Sequence, residues 1–78
     1  NNNIVKFDFS VILNEHESIK RRCIRKIVEI KVGSIDGVEN IHILDILNLL
    51  TNNITRKKYI LGNKFTIEIV KKNIAIIY

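Results

Sequence analysis

Ile19-Lys20-Arg21-Arg22-Cys23-Ile24-Arg25-Lys26-Ile27 is the stretch that decides how this chain is read. Between Lys20 and Lys26 it holds five of the 13 basic residues of the chain, yet apolar residues recur through it at helical spacing. That pattern predicts a helix with one half buried and the other strongly positive. On a helical wheel Ile19, Cys23, Ile24, Ile27 and Ile30 share one half. Arg21, Arg22, Arg25, Lys26 and Glu29 share the other. Lys20 and Lys31 fall over the apolar half and must snorkel from it. Asn14, with Glu17 three residues on, is the expected N-cap and partial capping box. Gly33 is the expected stop.

Upstream of that helix the period changes to two. Val5, Phe7, Phe9 and Val11 alternate with Lys6, Asp8 and Ser10, which predicts a strand with one buried face. Asn1 to Asn3 read as a frayed lead-in. Downstream, Ser34 to Glu39 form a connection and Asn40 is the expected cap of a second helix. Ile43, Leu44, Ile46, Leu47 and Leu50 supply its apolar stripe, and Thr51-Asn52-Asn53 ends it. Tyr59-Ile60-Leu61, Phe65 to Ile69 and Ile74 to Tyr78 then read as three strands, joined by the turns Gly62-Asn63-Lys64 and Lys71-Lys72-Asn73. The order β-α-α-β-β-β predicts a small two-layer α+β domain, with two helices packed on an antiparallel sheet.

The whole chain sets bounds on function. Seventy-eight residues make a single domain, 1–78. A chain so short buries only about 60% of its unfolded surface. The net charge of +5 and a pI near 9.6 point to an anionic partner. One cysteine, Cys23, excludes an internal disulfide, and with His16 and His42 distant it makes no metal constellation. A reducing, cytoplasmic setting is expected. No run approaches the roughly 18 consecutive apolar residues of a membrane span. The chain has no Met and begins with Asn, which reads as a segment of a longer protein.

Arg21 with Arg25, and Arg22 with Lys26, are like-charge i,i+4 pairs, each costing a few tenths of a kcal/mol. Arg25–Glu29 is the expected compensating pair. A face built at such a cost either suits a phosphate ligand or is a solvated helix face with acidic neighbours in a longer protein. Arg56-Lys57-Lys58 forms a second basic run that either extends the positive surface or keeps a sheet edge soluble. Phe7, Phe9 and Phe65 occupy core positions, so stacking platforms for bases are poor and backbone or shape recognition of structured RNA fits better. The acids are scattered, no nucleophile stands at a recognisable spacing from a histidine, and no glycine-rich phosphate loop is present.

The order of these pieces resembles the domain that follows the catalytic domain in bacterial tRNA(Ile)-lysidine synthases. In that family a helix carries an Arg-Arg-x-Ile-Arg signature, similar to Arg21-Arg22-Cys23-Ile24-Arg25. A second helix carries a pattern similar to His42-Ile43-Leu44-Asp45-Ile46-Leu47. A Thr-Gly-Lys-Lys-type loop then leads into a hairpin, and its counterpart is Thr55-Arg56-Lys57-Lys58-Tyr59-Ile60-Leu61-Gly62-Asn63. Arg56 stands where the family usually has Gly, Gly62 where it usually has Pro, Lys64 in place of a turn Gly, and Ile69 where Arg is common. The resemblance runs from about Ile12 to the end of the chain.

The resemblance implies a tRNA-recognition module and not the catalytic machinery. The family's enzyme joins lysine to the wobble cytidine of a tRNA(Ile) with a CAU anticodon, after ATP adenylates that base. ATP, with Mg, and lysine belong to an N-terminal domain with a Ser-Gly-Gly-x-Asp-Ser loop that this chain lacks. The expected cofactors of this chain are therefore none. The expected partners are that tRNA and the parent's catalytic domain, with a homodimer through an open strand edge also allowed. The expected contacts are Arg21, Arg22 and Arg25, supported by Lys26, Lys57 and Lys58. One alternative is a structural domain whose arginines pack on the catalytic domain without touching RNA. Another is an independent basic nucleic-acid-binding domain, for which the Gly33-to-Glu39 connection is long for a helix-turn-helix.

Overall fold

A computed structural model describes residues 4–78, so the expected lead-in at Asn1 to Asn3 lies outside the described residues. The elements are β1 (Val5–Asp8), α1 (Ser10–Leu13), α2 (Glu17–Val32), α3 (Asn40–Asn52), β2 (Lys58–Leu61), β3 (Phe65–Lys71) and β4 (Ile74–Ile77). They form the expected α+β domain, with α1 as an added single turn.

The four strands make one antiparallel sheet in the order β1-β4-β3-β2. The meander β2-β3-β4 pairs through its turns, and β1 closes the domain by adding to β4, with Phe7 opposite Ala75. The helices cover one face. Between the layers lie Phe9, Ile24, Val28, Ile43, Ile46, Leu50, Phe65, Ile67, Ile69, Ala75 and Ile77, all nearly or fully buried. The other face is bare: Lys58, Glu68, Ile76 and Lys6 run across it in register.

Local chemistry moved several boundaries. The first strand stops at Asp8 and does not reach Val11. The Asp8 carboxylate accepts hydrogen bonds from the Ser10 N–H (2.9 Å) and hydroxyl (2.7 Å), turning the chain out of the sheet. Those bonds favour the ionised carboxyl and hold its pKa below the ordinary 3.8. Phe9 is thereby fully buried and Val11, expected inside, is 64% exposed. Asn14 is the C-cap of α1 and not the N-cap of the next helix, so the Asn14/Glu17 box does not form. Glu17 is the first residue of α2 and turns its carboxylate to Lys20 and Arg21.

The two long helices end as the sequence suggests. Gly33, with φ 88°, donates its N–H to the Glu29 carbonyl at 2.7 Å. Asn53, with φ 53°, ends α3 in the same left-handed conformation. In the connection between them Gly37 has φ 78°, and a Cβ there would stand 3.2 Å from the end of the Lys64 side chain. A side chain is therefore strained at this position by the backbone, while the exposed end of Lys64 has only to give by a few tenths of an ångström. The cap of α3 is Glu39 and not Asn40: Glu39 and His42 bond reciprocally, with the Glu39 N–H donating to His42 Nδ1 at 2.9 Å.

Candidate nucleic-acid interface

α2 carries six basic and two acidic residues in 16 positions. Its buried line is Ile24 and Val28, flanked by the half-buried Cys23 and Ile27. Ile19 and Ile30, expected on the apolar half, are 38% and 63% exposed. The buried stripe is narrower than the wheel implied because the helix seats on Ile24 and Val28, and Ile30 stands roughly 200° round the axis from Val28.

The cationic side chains divide by their partners. Arg21 reaches Glu17 at 3.5 Å, within one turn of its own helix. Arg25 is half-buried and donates to Asn40 Oδ1 at the start of α3. The expected Arg25–Glu29 pair does not form: Glu29 lies 3.9 Å from Lys26, both side chains being largely exposed. Arg22 is exposed and has no acidic partner within ion-pair distance among the described residues. Arg22 and Lys26 stand one turn apart on the outward side, at a spacing of about 5–6 Å between Cβ atoms. With Cys23, Arg25 and Glu29 they line a groove of about 530 Å³. A second groove, of about 320 Å³, runs between Glu17 and Lys20 of α2 and Leu44, Leu47, Asn48 and Thr51 of α3. With Arg25 at Asn40, these neighbours show that the two helices run in opposite directions.

The second basic run lies on a different layer. Arg56 and Lys57 form the turn into β2, tied down by bonds from the Arg56 N–H to the Ile69 carbonyl (2.6 Å) and from the Ile69 N–H to the Lys57 carbonyl (3.0 Å). Arg56 has φ 76°, a left-handed conformation that favours glycine. This is the position where the resembled family usually has Gly. Along β2 Tyr59 and Leu61 pack toward the core while Lys58 and Ile60 are exposed. Lys58 therefore faces away from the helices, opposite Glu68, and does not continue the α2 surface. Tyr59 sits beneath α3, where burial and then the Asp45 carboxylate raise its phenol above the ordinary 10.0.

Two asparagines that the pattern marked only as turn residues join the layers. Asn53 Nδ2 donates to Asn73 Oδ1 at 2.9 Å, and the Asn73 N–H donates to Asn53 Oδ1 at 3.1 Å. The Asn73 carbonyl accepts from the Phe9 N–H at 2.9 Å. Asn73 itself has φ 69°, so the end of α3, the β3–β4 turn and the end of β1 meet at one left-handed residue. Left-handed asparagines are recognisable in sequence as candidates, but their pairing is not. Among the described residues no group of three or more His, Cys, Asp or Glu is placed to hold a metal ion.

The chain is similar to part of a tRNA(Ile)-lysidine synthase. It is 39% identical over 46 residues to the enzyme of that name from Caldanaerobacter subterraneus subsp. tengcongensis, a stretch covering 59% of this chain and 10% of that protein. The matched stretch is thus about a tenth of the relative's length. No protein-family model matches the chain, and no solved structure matches it. No helix among the described residues is long and apolar enough to cross a membrane.

Proposed function

We propose that this domain is the tRNA-positioning module of a cytoplasmic tRNA(Ile)-lysidine synthase, docking a tRNA(Ile) with a CAU anticodon through the outward side of α2. The observation that carries the reading is the unpaired Arg22 one turn from the loosely paired Lys26, on a helix similar in motif to that family. Such a row suits phosphates, which it neutralises while releasing counterions. It carries no aromatic side chain to stack on a base, so it positions RNA without reading its sequence. Joining lysine to the cytidine belongs to the parent's N-terminal domain, which holds ATP with Mg and the amino acid. This domain supplies orientation.

The test is tRNA binding by this chain across a salt series. Arg22→Ala and Lys26→Ala are each expected to weaken binding and to lower the salt slope by about one unit. Unchanged affinity and slope in both variants would defeat the RNA reading.

A second reading has its own support. Ile19 and Ile30 are exposed on the flank of the same helix, as expected of a surface that packs on a neighbouring domain. In that reading the chain ignores tRNA, and the arginine changes destabilise the full-length parent.

A further inference from the structure

The arginines of α2 have different partners, and the difference separates their roles. Arg21 is occupied by Glu17, which lies on its own helix. Arg22 is exposed, without an acidic partner among the described residues. Arg25 leaves its own helix: its guanidinium donates to the Asn40 side chain in the first turn of α3. Its intrahelical alternative, Glu29, is taken by Lys26 at 3.9 Å. Asn40 is free for this bond because Glu39 and His42, not Asn40, cap α3.

Building on the RNA reading above, we infer that Arg25 is a positioning residue, a strut from α2 to α3 that aims the Arg22–Lys26 row, and that Arg22 and Lys26 alone meet phosphate. The guanidinium is a planar donor fork suited to a fixed bond of this kind. Its half-buried position and the N–H that it gives to Asn40 set it back from the outermost row. Rotating or shifting α2 on α3 would displace Arg22 and Lys26 together, since they lie one turn apart on one rigid helix.

A salt series separates a strut from a contact, because only a residue that neutralises phosphate changes the slope. A tRNA transcript with a CAU anticodon is titrated against Arg22→Ala, Arg25→Ala, Asn40→Ala and the Arg25→Ala/Asn40→Ala double variant. Arg22→Ala is expected to lower the slope by about one unit. Arg25→Ala and Asn40→Ala are expected to weaken binding several-fold at unchanged slope, with the double variant no weaker than Arg25→Ala. Asn40→Ala alters no charge and spares the Glu39–His42 cap, so it keeps the test valid if Arg25→Ala unfolds the domain. If Arg25→Ala lowers the slope by one unit while Asn40→Ala is silent, Arg25 is a phosphate contact and the strut is wrong, although the RNA reading stands. If no variant changes affinity or slope, the RNA reading falls and the division falls with it.

Discussion

α2 and α3 are neighbours of similar length, yet they are built for opposite purposes. α3 buries Ile43, Ile46, Leu47 and Leu50 and carries a single charged side chain, Asp45. α2 buries only Ile24 and Val28 and carries eight charged residues. Their ends differ in the same sense. α3 finishes on Asn53, bonded twice to Asn73 of the sheet layer. α2 finishes on Gly33, whose missing Cβ would meet nothing within 4 Å. One helix anchors the fold and the other rides on it, presenting charge. A helix seated on a narrow stripe tolerates changes on its outer half because little packing depends on them.

The largest effect belongs to the anchor. Ile46→Ala, at a fully buried site on α3, is expected to cost about 2–5 kcal/mol in a denaturant melt. A loss below 1 kcal/mol would show that α3 is not the anchor. The two helix ends should differ next. Gly33→Ala is expected to cost about 1–2 kcal/mol, the backbone penalty of a left-handed residue carrying a Cβ. Asn53→Ala trades one such residue for another but strips both bonds to Asn73, and should cost about 1–3 kcal/mol. If Asn53→Ala is harmless while Gly33→Ala is not, the anchoring role moves to α2.

Arg22→Ala should leave the unfolding free energy within about 0.5 kcal/mol of the unaltered chain in the same denaturant melt, as an outward surface change does. A larger loss would place Arg22 among the residues that hold the fold. The smallest signal is alkaline. Tyr59, raised by burial and by Asp45, keeps its proton longer folded than unfolded, so its contribution is present below pH 10 and lost as pH rises through the folded value. Followed by phenolate absorbance, Asp45→Asn should move the Tyr59 titration down, and Glu29→Gln on α2 should leave it unchanged.

Much of this was legible in the chain. The period-two runs at Phe65 to Ile69 and Ile74 to Tyr78, the helical spacing through Ile24 and Ile43, and the stops at Gly33 and Asn53 all read directly, because periodicity and left-handed turns are local properties. Errors arose where one short segment satisfied two patterns. Val11 continued the alternation of β1, yet the Asp8–Ser10 turn removed it from the sheet. Asn14 and Asn40 both suited N-caps, yet one closes α1 and the other receives Arg25.

The sequence by itself determined the element order, the α+β class and a helix with one positive half. Only the tertiary structure decided that β1 pairs with β4, that Lys58 lies a layer away from Arg22, and that Arg25 spends its donor on α3. Each of these is set by residues distant along the chain, through the faces that the sheet and the packed helices turn toward each other. No pattern within one segment carries that information.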